Sequence, residues 1–146
     1  MYQLETQIDI EAPAERVWSI LTNFSSYPSW NPFVRSIAGR LEVGQSLDVF
    51  IQPPGAKGMR FRPTVLAVAP GRVLRWKGKL LLPGLFDGEH YFQLDARPGG
   101  GVVFRHGEIF SGILMPFFSP SLKSDIRQGF VAMNEALKRE AESAAF

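Results

Sequence analysis

The sequence contains no cysteine. This excludes disulfide bonds, thiolate catalysis and zinc or iron–sulfur sites with cysteine ligands. It also lacks any run approaching the ~20 apolar residues that are needed to cross a bilayer. The first residues lack the basic start and apolar core of a secretory signal. We therefore expect a cytoplasmic protein without stable membrane insertion.

Excess charge of either sign is also missing. The 16 basic and 14 acidic residues leave a formal net charge of +2. The basic residues are scattered, so nucleic-acid binding is not expected. Aromatic residues are abundant instead, with 12 Phe, 3 Trp and 3 Tyr in 146 residues. This length fits a single domain over residues 1–146, and the apolar volume is larger than such a domain usually needs.

Several strands are indicated by alternation and by turn residues. Between residues 2 and 11, apolar and polar side chains alternate as in a half-buried strand. Pro13 suits the first turn of a helix, and the two prolines within 23–32 predict a short irregular helix or turn. Glycine- and proline-rich turns separate six further strands, whose short connections favour antiparallel pairing. These strands are predicted at 33–39, 46–52, 59–69, 72–79, 86–96 and 102–111.

The last element is a helix predicted over residues 120–142. Ser119 is a typical N-cap and Pro120 a typical first-turn residue. Apolar residues recur at helical spacing and form one narrow stripe, which consists of Leu122, Ile126, Phe130, Met133 and Leu137. The polar residues expected to face water are Lys123, Arg127, Asn134 and Lys138. The order of elements predicts an α+β fold, with helices on one face of an antiparallel sheet.

Four stretches of the chain carry a family resemblance. They are IDIEAPAERVWSILTNFSSYPSWNPFV at 8–34, HYFQL at 90–94, FRHGEIFSG at 104–112 and MNEALKRE at 133–140. With these stretches the sequence resembles the START/Bet v1-like (SRPBCC) superfamily, in particular its polyketide cyclase/dehydrase-like bacterial members. The resemblance implies a helix-grip fold. In that fold a seven-stranded curved sheet surrounds the C-terminal helix, and two short helices lie between strands 1 and 2.

The same resemblance implies a tunnel for hydrophobic ligands but no particular reaction. Members of the superfamily include lipid carriers, plant hormone receptors and aromatase/cyclases, so the fold does not decide the function. Nothing in the resemblance calls for a cofactor, and none is expected.

The 86–111 region is predicted to form a hairpin with the RPGGG turn, 97–101, at its tip. The facing pairs are then Leu94 with Phe104, Phe92 with His106, and His90 with Glu108. All six side chains lie on one face of the sheet, because side chains alternate along a strand. Since the aromatic and leucine side chains belong inside, His90, His106 and Glu108 should point inward as well.

An inward-facing group of two histidines and a glutamate has three interpretations. It can be a structural hydrogen-bond network, a polar anchor for the head group of a ligand, or a catalytic acid/base pair. The residue types also suit a metal, but their spacing matches no metal-binding motif, so no metal site is predicted. These three residues are the candidate catalytic residues.

An internal ligand cavity is predicted from the surplus of inward-facing aromatic residues. The residues expected to line it are Trp76, His90, Phe92, Leu94, Phe104, His106, Glu108, Phe130 and Met133. In a meander alternate turns share one end of the sheet, so the connections at 53–58, 80–85 and 112–119 should cluster. Two of these connections are unusually apolar, which is typical of a binding surface, a gate or a membrane contact. Most of their side chains are expected to pack on each other and on the start of the helix, and a minority could form a gate. The gate residues would be Leu82, Leu85, Phe117 and Phe118.

The leading functional hypothesis is binding or carriage of a small hydrophobic molecule, such as a lipid, a polyketide or an isoprenoid. The first alternative is a cyclase/dehydrase that acts on an aromatic polyketide-like substrate. The second is a module that binds a protein partner through its apolar loops. The sequence leaves open whether the protein is an enzyme, which ligand it takes and whether it forms oligomers.

Overall fold

The computed structural model describes residues 1–80, 84 and 86–143. Its strands are β1 Tyr2–Ile10, β2 Val34–Ala38, β3 Asp48–Ile51, β4 Met59–Phe61, β5 Thr64–Ala69, β6 Val73–Leu80, β7 Phe86–Ala96 and β8 Val102–Ser111. Its α-helices are α1 Ala14–Thr22, α2 Tyr27–Trp30 and α3 Pro120–Glu142. Short 3₁₀ turns occupy Phe24–Ser26 and Met115–Phe117. The chain has the predicted α+β fold, with a curved antiparallel sheet and a long C-terminal helix.

The strands form two sheets rather than the one seven-stranded sheet that was predicted. One has the order β1-β8-β7-β6-β5 and the other the order β2-β3-β4. The extra strand arises at Pro63, which divides the predicted 59–69 strand into β4 and β5, because proline has no N–H to continue a ladder. The sheets remain joined there, since the Leu47 N–H donates to the Pro63 carbonyl at 2.9 Å and Ser46 forms a bridge to Thr64.

Helix α3 begins and ends close to where the sequence places it. The Ser119 hydroxyl accepts a hydrogen bond from the Leu122 N–H at 3.1 Å, which confirms the N-cap. The apolar stripe is buried against the sheet at Phe130, Met133 and Leu137. Gly129 is part of this contact, because a Cβ at that position would collide with the ring of Phe33.

Strands β7 and β8 pair in the predicted register. His90 is opposite Glu108, Phe92 is opposite His106, and Leu94 is opposite Phe104. Strand β1 continues the sheet on the other side of β8, with Thr6 opposite His106. This register places the polar trio beneath α3, where the site described next is built.

Candidate functional site

A cavity of about 200 Å³ lies between the two sheets and the first turns of α3. Its wall is mainly apolar and aromatic, and its polar members are few. From the three-stranded sheet and the 53–58 loop come Val34, Ile51, Pro53, Ala56, Lys57, Met59 and Phe61, with Phe33 beside them. From β6, β7 and β8 come Trp76, Gly78, Lys79, Phe86, Gly88, His90, Glu108 and Phe110. From the segment before α3 and from α3 itself come Phe118, Leu122, Asp125 and Ile126.

The glycines of β6 and β7 help to create this space. Gly78 and Gly88 face each other across the strand pair and both line the cavity. A Cβ at Gly88 would collide with the carboxylate of Glu108. Without a side chain at Gly88, the Glu108 carboxylate can therefore lie flat on the floor of the cavity.

A chain of hydrogen bonds starts at this carboxylate and runs into the core. Glu108 Oε1 lies 3.2 Å from His90 Nδ1, and His90 Nε2 lies 2.8 Å from His106 Nε2. His106 Nδ1 lies 2.9 Å from Asn134 Oδ1 on α3. The Asn134 amide donates to the Thr6 hydroxyl at 2.8 Å, and that hydroxyl donates to the His106 carbonyl at 3.0 Å. Three strands and the helix are thus linked through side chains.

Aromatic rings enclose both imidazoles. His90 stacks on Trp76 with ring centroids 5.1 Å apart, and His106 stacks on Phe130 at 4.0 Å. His106 is fully buried and does not reach the cavity. Burial, followed by the proximity of His90, holds the pKa of His106 well below its usual value. His106 is therefore neutral at physiological pH.

The predicted hydrogen bonding within the trio is present, and the trio faces the concave side. Its members have different positions, however. His90 and Glu108 form part of the cavity wall together with Trp76, whereas His106 lies behind His90.

Five other residues that were predicted to line the cavity lie instead in the packed core. They are Phe92, Leu94, Phe104, Phe130 and Met133, all of them buried and none part of the wall. The prediction of their position was wrong because alternation shows which face of the sheet a side chain is on. It does not show where along the strands the cavity lies. Their large side chains fill the half of the sheet nearest the 97–101 turn. The space opens towards Gly78 and Gly88 at the other end.

Asn134 was placed wrongly at the water-facing side of α3, and only 3% of it is exposed. It is four residues after Phe130 and three before Leu137, so it shares their face of the helix. That spacing was the signal that could have identified it as the partner of an inward-facing polar group. Thr6 carried a similar signal, since it alternates with the buried Leu4 on β1.

Two of the three connections that were predicted to cluster meet where the structure describes them. The Ile113 N–H donates to the Gly84 carbonyl at 3.1 Å, and the rings of Phe86 and Phe118 stack at 5.3 Å. Phe118 is 5% exposed and lines the cavity, whereas Phe117 is 81% exposed and is not part of the wall. Leu82 and Leu85 lie outside the described residues. Gating by this loop cluster stays a prediction.

Two other kinds of feature can be assessed within the described part of the chain. No group of three or more His, Asp or Glu side chains there could hold a metal ion. None of the helices described combines the length and the apolar character that crossing a membrane requires.

The sequence profile of a family described as "Polyketide cyclase / dehydrase and lipid transport" matches residues 1–142. The chain belongs to this family. The predicted START/Bet v1-like resemblance is thereby confirmed. No curated protein matches the chain in sequence.

Solved structures share the family's fold at low sequence identity. A START superfamily protein from Mycobacterium smegmatis is 18% identical with a TM-score of 0.74, covering 97% of this chain and 98% of its own. The Zhui aromatase/cyclase from Streptomyces sp. R1128 is 16% identical with a TM-score of 0.72, covering 97% and 93%. Protein MLL2253 from Mesorhizobium loti is 20% identical with a TM-score of 0.72, covering 99% and 100%. At these identities the likeness concerns the fold alone.

Proposed function

We propose that this protein binds a small, mainly apolar molecule in the cavity between its two sheets and α3. The observation that carries the proposal is the composition of the wall. Aromatic and aliphatic side chains surround the space, and the His90–Glu108 pair supplies a polar group at one point. Ligand sites commonly combine apolar walls with a few polar groups that fix orientation. The family's description, which names both lipid transport and cyclase/dehydrase activity, is consistent with such a ligand.

The size of the cavity narrows the range of ligands. A volume of about 200 Å³ is somewhat larger than the ~150 Å³ cavity that accommodates benzene, and smaller than the ~300–1,000 Å³ of drug-sized sites. A molecule of one or two rings, or a short branched chain, could be enclosed. A longer ligand would have to extend out of the cavity, whose wall also includes the charged residues Lys57, Lys79 and Asp125.

The proposal can be tested by filling the cavity. In the variant Gly78→Ile the new side chain points from β6 into the cavity, because Gly78 is part of the wall. The matched control is Lys77→Ile, in which the same side chain is added one residue earlier, at an exposed position on the opposite face. We expect Gly78→Ile to weaken binding of 2-naphthol at least tenfold in calorimetry, and Lys77→Ile to leave it unchanged. Equal affinities for both variants would refute binding in this cavity.

Cyclase/dehydrase activity is the second candidate, and one observation favours it. His90 and Glu108 are hydrogen-bonded to each other on the cavity wall, within reach of an enclosed molecule. Such a pair can remove a proton from carbon and return it to a leaving hydroxyl, as a dehydration requires. If the pair is catalytic, Glu108→Gln should abolish turnover of a β-hydroxyketone while the affinity changes little. If it only orients the ligand, the affinity changes modestly and there is no turnover to lose.

A further inference from the structure

The hydrogen-bond chain behind the cavity has a direction that is set by a backbone carbonyl. The carbonyl of His106 can only accept, so the hydroxyl proton of Thr6 must point to it. Thr6 Oγ1 is then left to accept from Asn134, which must present its NH₂ group to Thr6 and its oxygen to His106. His106 Nδ1 consequently carries a proton. This is the orientation in which each donor of these hydrogen bonds meets an acceptor.

The next contact determines the state of His90. Neutral His106, protonated at Nδ1, has a lone pair at Nε2. His90 Nε2 lies 2.8 Å away from that lone pair and must therefore donate a proton to it. With its Nε2 protonated, a neutral His90 would present a lone pair at Nδ1. That lone pair would face the carboxylate of Glu108 at 3.2 Å.

Two lone pairs cannot form this contact, so a further proton must lie between His90 and Glu108. It can be on the imidazole, giving an imidazolium–carboxylate pair, or on Glu108 Oε1, giving two neutral groups. In both arrangements the pair carries no net charge. Asn134 and Thr6 are connected to Glu108 only through the two histidines. Their arrangement thus decides how many protons the cavity wall holds.

The second oxygen of Glu108 is left for the ligand. Oε2 lies over Gly88, at the cavity floor, where a Cβ would collide with it. Within the described part of the chain it has no hydrogen-bond partner, and the ion pair of Glu108 is with His90. The other charged residues of the wall are Lys57, Lys79 and Asp125. In both proton arrangements Oε2 is an acceptor, and it has no proton to donate.

We propose that the His90–Glu108 pair retains one proton in addition to that on His90 Nε2, and that Glu108 Oε2 selects neutral ligands carrying a hydroxyl or N–H group. Phenols, enols and alcohols would be accepted, and carboxylates would be rejected because their oxygens would face Oε2 lone pair to lone pair. This inference rests on the proposed function and defines its ligand class. Asn134 and Thr6 act as positioning residues. They touch no ligand, and they determine which atom donates and which accepts in each hydrogen bond from His106 to Glu108.

Ligand preference tests the selectivity. The probes are 2-naphthol, 2-methoxynaphthalene and 2-naphthoate, which share one ring system and differ in the group that meets Glu108. We expect 2-naphthol to bind more tightly than 2-methoxynaphthalene, by about tenfold to a hundredfold if Glu108 is ionised and by about twofold to tenfold if it is neutral. We expect 2-naphthoate to bind most weakly. If the first two bind equally well in the cavity, the selectivity is refuted and the proposed function stands. If none binds, or Gly78→Ile does not affect binding, the proposed function fails.

Nitrogen-15 NMR of the imidazoles tests the proton directly, together with the carbon-13 shift of the Glu108 carboxyl. At pH 7 we expect His106 to be protonated at Nδ1 and bare at Nε2. We expect either both nitrogens of His90, or Nε2 of His90 and the Glu108 carboxyl, to be protonated. A bare Nδ1 on His90 beside an ionised Glu108 would overturn the proposal.

The variant Glu108→Gln makes the spectroscopic test independent of ligand. The amide can donate to His90 Nδ1 itself, so the extra proton is no longer required and Nδ1 should be bare, whichever of the two groups carries the proton in wild type. If Glu108 is ionised in wild type, the selectivity for 2-naphthol should also decrease, because a neutral amide oxygen is a weaker acceptor than a carboxylate. The matched control is Glu89→Gln on the opposite face of β7, where Glu89 pairs with Arg75 at 2.9 Å. The control should leave the His90 spectrum unchanged, and a His90 that stays protonated at Nδ1 in Glu108→Gln would count against the proposal.

Discussion

At the scale of single residues, the interior of this protein depends on matching donors to acceptors. The chain from Glu108 to Thr6 satisfies buried nitrogen and oxygen atoms on four elements. Burial without a partner costs several kcal/mol for a polar group, so each member of the chain constrains its neighbours. His106 and Asn134 are the central pair, since both are buried and each has two partners.

Replacing Asn134 should therefore be costly. Asn134→Leu keeps the approximate volume but leaves the His106 Nδ1–H and the Thr6 hydroxyl short of a partner. Each unsatisfied buried group costs about 1–3 kcal/mol, so we expect the free energy of unfolding to fall by several kcal/mol in urea titrations. Glu135→Leu, at the next and exposed position of the helix, is the control and should stay within about 0.5 kcal/mol of wild type. Equal effects of the two variants would mean that the hydrogen bonds of Asn134 contribute nothing to stability.

The depressed pKa of His106 makes stability depend on pH. In the folded state burial keeps His106 neutral, whereas in the unfolded state its pKa is near 6.5. The unfolded state binds the extra proton first as the pH falls. This contribution to stability is complete above about pH 6.5 and is lost below it, by up to about 1.4 kcal/mol per pH unit. The titratable group that faces His106 is His90, with Glu108 beyond it.

The measurement is the free energy of unfolding of wild type and His106→Gln between pH 5 and pH 8. The variant lacks the titrating group, so its stability should fall less steeply on the acid side. Parallel curves would contradict the neutral buried state of His106.

At the scale of elements, local sequence patterns predicted the extent of the last helix and the pairing of neighbouring strands. The spacing of apolar residues predicted α3, and the turn at 97–101 with strict alternation predicted the β7–β8 register. The same sequence indicates the division at Pro63, because proline lacks the N–H that a strand ladder requires. The position of the cavity along the sheet was beyond local pattern, because it depends on how the three-stranded sheet folds over β6, β7 and α3.

The packing of α3 on the chain after α2 offers an element-level test. Gly129 accommodates the ring of Phe33, which also lines the cavity. In Gly129→Ala, overpacking should cost about 1–3 kcal/mol, against about 1 kcal/mol gained in helix propensity. We expect a net loss of stability in thermal or urea unfolding.

The double variant Gly129→Ala with Phe33→Leu provides the control. A smaller side chain at position 33 makes room for the new methyl group, so the two changes should be less harmful together than their sum. A coupling of about 0.5 kcal/mol or more would be typical of residues in contact. Strictly additive effects would show that Phe33 and residue 129 do not compete for space.

At the scale of the whole molecule, the two sheets and α3 meet around a space that the core does not fill. The half of the sheet nearest the 97–101 turn is occupied by Phe92, Phe104, Phe130 and Met133. The other half is kept open by Gly78 and Gly88 and closed over by side chains such as Phe33 and Phe118. The aromatic surplus in the sequence therefore serves both purposes, core and cavity wall, and composition alone could not divide it between them.

A ligand in that space should stabilise the entire fold, because it binds the folded state and has no site in the unfolded chain. At a free concentration 100 times the Kd, the gain is about 2.7 kcal/mol. For a domain of this size each kcal/mol raises Tm by roughly 2–4 °C, so 2-naphthol should raise Tm by roughly 5–10 °C in differential scanning calorimetry.

The variant Lys77→Ile should show the same rise. Gly78→Ile, whose added side chain occupies the cavity, should show little or none. A rise of equal size in Gly78→Ile would place the ligand elsewhere on the molecule, and no rise in wild type would mean that the cavity does not take a molecule of this kind.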